Sequence, residues 1–92
     1  MSRTVVVEVT EEDIAAGKQE DCEWCPIACA LRRAAGTPRA FVDGAELAAG
    51  NWDGVHPYDS DRVRMPREAV DFVLDFDEGR DVRPFAFTVE LP

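Results

Sequence analysis

The sequence predicts one α+β domain: a small antiparallel sheet of three to five strands with two or three helices packed on one face. Three observations lead there. Segments of alternating apolar residues lie at opposite ends of the chain, at 4–9 and 85–91. Between them, two stretches of helical periodicity are each opened by a proline, Pro26 and Pro66, and closed by a glycine, Gly36 and Gly79. An Asp43-Gly44 pair between short apolar runs marks a hairpin in the middle.

In the first strand Val5, Val7 and Val9 share one face, and Thr4, Val6 and Glu8 share the other. Thr10 is placed to cap a short helix whose first turn, Glu11-Glu12-Asp13, carries the negative charge that a helix dipole favours. Gly17 is a stop for that helix, and a polar linker follows over 18–21. The second helix starts at Pro26, buries Ile27, Ala30, Leu31 and Ala34 on one face, and carries Arg32 and Arg33 in its last turn. Hairpin arms at 39–42 and 45–48 flank a type I′ turn at Asp43-Gly44. The Gly-, Asp- and aromatic-rich stretch 50–61 predicts a surface loop, ending in a short strand at 62–65. The third helix runs from Pro66 to about Asp77, with Ala69, Val70, Val73, Leu74 and Phe76 as its buried face. The last strand points Phe85, Phe87, Val89 and Leu91 one way. Both terminal strands carry a strongly apolar face, so they are expected in the same sheet.

At 92 residues the chain has room for one domain, residues 1–92, and its 46% apolar content excludes an acidic disordered tail. Ten basic and nineteen acidic residues give a net charge of −9. Such a chain repels nucleic-acid phosphates and anionic lipids, so neither direct nucleic-acid binding nor membrane binding is expected. Basic protein surfaces are attracted instead. No apolar run approaches the roughly 20 residues that span a bilayer, and a cytoplasmic protein with reduced cysteines is expected.

The sharpest local feature is Cys22-Glu23-Trp24-Cys25-Pro26-Ile27-Ala28-Cys29. A C-x-x-C pair can bind a metal or form a redox disulfide. Cys25 precedes a helix whose dipole would lower its thiol pKa, and Cys29 lies one turn further on the same side. Three sulfurs with His56, the only histidine, make a legal ligand set for zinc or an iron–sulfur cluster. Their spacing lacks the two separated pairs of a closed zinc site, so no cofactor is expected and folding is expected without metal. His56 has no evident orienting carboxylate or nucleophile, and no nucleophile elbow or phosphate-cradling loop is present; no enzyme activity is expected.

Glu68, Asp71, Asp75 and Glu78 recur at helical spacing along one face of the third helix. That stripe is either a solvated surface or a contact for a basic partner. Trp24 and Trp52 lie in non-regular segments, where an exposed tryptophan marks a binding hot spot and a buried one covers the core.

The layout resembles a family of short uncharacterised proteins encoded by bacteriophages and prophages, especially of actinobacteria. The likeness rests on Val7-Glu8-Val9-Thr10-x-Glu12-Asp13-Ile14 with Gly17, and on Asp21-Cys22-x-x-Cys25-Pro26-Ile27-Ala28-x-Ala30-Leu31. Pro66-x-Glu68-Ala69-Val70 and Phe76-Asp77-x-Gly79 with Pro84-Phe85-x-Phe87 extend it. The resemblance implies a phage accessory protein working in the bacterial host cytoplasm. The cysteine motif and Gly50-Asn51-Trp52-Asp53-Gly54 are also similar in part to the WhiB-like iron–sulfur regulators. Cys29 falls short of their third cysteine, and their upstream cysteine and basic C-terminal segment are absent. The expected function is therefore binding and modulation of a host protein, one with a basic or nucleic-acid-binding surface. A metal or thiol-redox module built on Cys22, Cys25 and Cys29 is the alternative.

Overall fold

A computed structural model describes residues 2–92 and gives the elements in the expected order. They are β1 (Arg3–Val9), α1 (Glu11–Ala16), α2 (Pro26–Ala35), β2 (Arg39–Asp43), β3 (Glu46–Gly50), β4 (Val63–Arg64), α3 (Arg67–Asp77) and β5 (Phe85–Leu91). A 3₁₀ turn covers Asp59–Asp61. The domain is α+β, and the two ends of the chain do share a sheet. β1 and β5 pair antiparallel with Val5 opposite Val89, Val7 opposite Phe87 and Val9 opposite Phe85.

The alternation in both strands becomes one buried face and one exposed face. α2 packs on that inner face through Ile27, Ala28, Ala30 and Leu31, all fully buried. Burying Ile27 and Leu31 stabilises the fold by about 1.5–3 kcal/mol each. α2 ends one residue later in phase than its periodicity suggests, so Ala35 is buried and Ala34 exposed. Gly36, at φ 68°, closes it in the left-handed region. Thr10 and Asp13 form a reciprocal capping box on α1, at 3.2 and 3.0 Å. Gly17 stays at φ −69°. A Cβ there would meet Pro26 Cδ at 2.5 Å, so the glycine admits the start of α2 rather than turning the chain.

The strands divide between two sheets, a β1–β5 ribbon and a second sheet of order β2-β3-β4, where the alternating segments had suggested one. The cause lies at the free edge of β2. There the Val42 N–H donates to the Cys22 carbonyl at 2.7 Å, so the cysteine turn sits where a further strand would pair. The hairpin register puts Asp43 opposite Glu46, which moves the turn to Gly44-Ala45. Only Gly44 has positive φ, at 59°, the sign pattern of a type II′ turn rather than type I′.

α3 buries Ala69 and Phe72, with Val70, Val73 and Phe76 partly covered, while Leu74 is 53% exposed. The expected stripe was thus rotated toward Leu74. The cause is a ladder of phenylalanines that draws Phe72 inward: Phe76 to Phe72 at 6.2 Å, Phe72 to Phe85 at 4.9 Å and Phe85 to Phe87 at 5.6 Å. No helix among the described residues is long and apolar enough to cross a membrane.

Candidate functional site

Asp21 builds the cysteine turn by accepting the backbone N–H groups of Glu23 and Trp24, both at 3.0 Å. Cys25 then serves as N-cap of α2, its sulfur accepting the Ala28 N–H at 3.4 Å. The helix dipole was expected to lower this thiol's pKa. Burial overrides it and pushes Cys25 up to about 11, with only partial relief from the Ala28 and Ile27 N–H groups. Cys22 is also raised, first by burial and then by the carboxylates of Asp43, Asp21, Asp77 and Glu23. Cys29 faces elsewhere: Arg32 Nη2 donates to its sulfur at 3.4 Å, and the thiol lies 3.8 Å from the Trp24 carbonyl.

The three cysteines are free thiols. His56 is exposed and sets its ring edge-on to Phe41 at 5.7 Å. Among the described residues no group of three or more His, Cys, Asp and Glu side chains is arranged to hold a metal ion. Cys22, Cys25, Cys29 and His56 therefore do not fit a zinc ion or an iron–sulfur cluster in this arrangement.

The two tryptophans have opposite fates. Trp24 is 53% exposed, with the Arg32 guanidinium over its ring at 4.1 Å. Arg32 is fixed by the Glu23 carbonyl at 2.6 Å, which holds the pair in place. Trp52 is 2% exposed and so is not a surface anchor. It folds with Phe41 and Ala48 into a small cluster on the outer face of the second sheet, with Cys22 packed alongside. Arg39 lies over its ring at 4.6 Å. The same guanidinium donates to the Trp52 and Gly54 carbonyls at 2.9 and 2.6 Å and pairs with Glu23 at 2.7 Å. Among the described residues the indole Nε1 and the Arg62 Nε have no hydrogen-bond partner, and both are buried.

The acidic stripe of α3 lies on the solvent side, and three of its four carboxylates are paired with two arginines. Asp71 pairs with Arg67 at 3.2 Å, and Asp75 and Glu78 both pair with Arg80 at 2.8 Å. Glu68 is exposed. A different group of carboxylates, which spacing along the chain did not reveal, surrounds a cleft of about 230 Å³ beside Cys22 and Cys25. Glu20, Asp21, Asp43 and Asp77 rim it, Val42 and Val73 wall it, and no Lys or Arg lines it. Glu20 holds its place at φ 54°, with its N–H donated to Asp77 at 2.9 Å. These four come from the segment between α1 and α2, the end of β2 and the end of α3. The one hint in the sequence was the run Glu20-Asp21 beside the cysteines.

Comparison with protein-family models, curated proteins and solved structures finds no match.

Proposed function

We propose that the protein acts by binding, as a small acidic accessory factor of phage type that modulates a basic protein in the cytoplasm of a bacterial host. The observation that supports this reading is the Cys22 cleft, where four carboxylates face one opening with no cation among its lining residues. Unpaired charge of one sign around an apolar-walled opening attracts a partner's lysine or arginine: the aliphatic stem packs on Val42 and Val73, and the head meets the carboxylates. Exposed Trp24, stacked under Arg32, adds a rigid aromatic anchor on the same cysteine turn. The α3 stripe contributes less, because Arg67 and Arg80 already occupy it.

Glu20→Lys with Asp43→Lys tests this, since among the described residues no hydrogen bond or ion pair uses either side chain. Captures from host lysate are run with both proteins at low and high salt. The reading expects basic proteins retained by the wild type at low salt, released at high salt, and lost with the double variant. Equal capture by both proteins, insensitive to salt, defeats it.

A thiol-redox reading draws on Cys22 and Cys25 lining the same cleft. It is the weaker one, because both thiols are held protonated at neutral pH. Loss of two hydrogens from the protein, as the Cys22 and Cys25 thiols join in a disulfide and oxidised glutathione is reduced to two thiols, would favour it. Unchanged mass removes it.

A further inference from the structure

The β1–β5 ribbon is covered on its inner face only. Its outer face carries Val6, which is 55% exposed and sits opposite Thr88, and Glu8 opposite Ala86. Where that face runs into the first turn of α1 there is a second, wider cleft of about 550 Å³. Its apolar lining is Pro84, Ala86 and the partly covered Phe85, with Val9, only 2% exposed, behind them on the inner side. Its rim is acidic, made by Glu8 from the ribbon and Glu11 and Glu12 from α1. No ion pair among the described residues uses these three side chains, although Arg33 pairs with the neighbouring Asp13 and donates to the Glu8 backbone carbonyl at 2.8 Å. One cation, exposed Arg83, directly precedes the wall in sequence.

From this juxtaposition we infer that the outer face of the ribbon and its end cleft form a docking groove for an extended basic segment of a partner protein. An apolar side chain of the segment lies on Pro84, Phe85 and Ala86, and a neighbouring lysine or arginine reaches the rim of Glu8, Glu11 and Glu12. The inference rests on the partner-binding reading above and adds a second site to it. Charge decides between occupants. A second copy of this chain would bring another net −9 to a rim that is already negative, whereas a basic segment neutralises it. The groove is also preformed. Phe85 is stacked on Phe72 and Phe87, and the capping box fixes the first turn of α1. Little ordering cost then falls on the protein when a segment binds.

Three synthetic peptides of equal length test it: alternating lysine and valine, alternating lysine and glycine, and alternating glutamate and valine. Binding is followed by amide chemical shifts at about 0.01 M salt, where the Debye length is about 30 Å. The lysine–valine peptide is expected to shift amides of residues 8–12 and 85–88 most, and to bind about tenfold more tightly than the lysine–glycine peptide, which lacks the apolar anchor. Glu11→Gln with Glu12→Gln is expected to weaken it by about tenfold. Four outcomes overturn the groove: equal binding of the two lysine peptides, binding of the glutamate peptide, an unaffected Gln variant, or self-association that masks the same amides. Shifts confined to Glu20, Asp43 and Asp77 overturn the groove and leave the Cys22 cleft as the partner site. Absence of binding by either lysine peptide removes both.

Discussion

The two sheets treat their outer faces differently. The ribbon leaves Val6, Thr88 and Ala86 in solvent, and its strands alternate residue by residue between buried and exposed. In the second sheet Phe41 and Ala48, opposite one another on the outer face, are as buried as Ala40, Val42 and Leu47 on the inner. The difference is made by the segment after β3, which folds Trp52 back over that face and is pinned there by Arg39. A strand buried on both sides reads as a short continuous apolar run, one buried on a single side as an alternation. The contrast also separates stability from binding: the covered face is part of the core, and the bare face is free to meet another molecule.

The largest effect expected from this contrast is at Trp52. Trp52→Ala uncovers Phe41 and Ala48 and should lose about 3–5 kcal/mol in urea denaturation, with Trp24 reporting by fluorescence. Trp52→Phe should lose less than half of that, because the buried indole N–H makes no hydrogen bond that phenylalanine would forfeit. A loss below about 1 kcal/mol for the alanine variant would mean that the segment is not a true second layer.

Next comes the pin. Arg39→Ala removes one ion pair to Glu23 and two charge-assisted bonds to the Trp52 and Gly54 carbonyls. The expected cost is about 1.5–3 kcal/mol, since both ends of the pair are mostly shielded from solvent. Hydrogen exchange should rise over residues 51–58 and stay unchanged in β1 and β5. A uniform rise across the chain would show that the two layers open together.

What was legible in the chain follows the same division. The ribbon, the Thr10 cap and the proline and glycine brackets of α2 and α3 are local patterns, and they stand as expected. The split into two sheets was not legible, because it depends on Cys22 reaching the edge of β2 across a separation in sequence. Trp52 sits in a polar, glycine-rich stretch that reads as surface, and only its contact with Phe41 and Arg39 makes it core. The site suffered most. Spacing found the carboxylates of the α3 stripe, three of which pair with Arg67 and Arg80, and missed the Cys22 cleft assembled from three separate places. Counting charges along a helix says nothing about which of them folding leaves unpaired.

The ribbon has its own pin, and pH tests it. Asp13 is 5% exposed, and the Arg33 guanidinium holds its carboxyl below the ordinary value of 3.8; burial opposes this and the Thr10 bonds assist it. A carboxyl lowered on folding contributes stability that is fully present above the unfolded value. That contribution is lost as pH falls through the folded value, so it declines below about pH 4. Asp13→Asn keeps much of the cap but loses the charge. At pH 7 it should be less stable than wild type by about 0.5–2 kcal/mol, and the gap should close in acid. Denaturation at pH 7 and pH 3 measures it. A gap that persists unchanged at pH 3 would assign the effect to packing.

The smallest expected effect is the most informative about the bare face. Val6 and Val7 are neighbours in one strand, both β-branched, and threonine keeps that branching and the strand preference that goes with it. Val6→Thr exchanges a methyl for a hydroxyl at a side chain already 55% exposed, where water satisfies the new group. Stability should change by no more than about 0.5 kcal/mol. Val7 is fully buried against α2, so the same exchange takes a hydroxyl out of water, at a cost of about 1–3 kcal/mol. The pair isolates burial from propensity, since chemistry and strand are held constant. If Val6→Thr proves as costly as Val7→Thr, the outer face is covered in solution by a second copy or a bound segment. If it is silent in stability yet weakens the lysine–valine peptide, the face is bare and part of the groove.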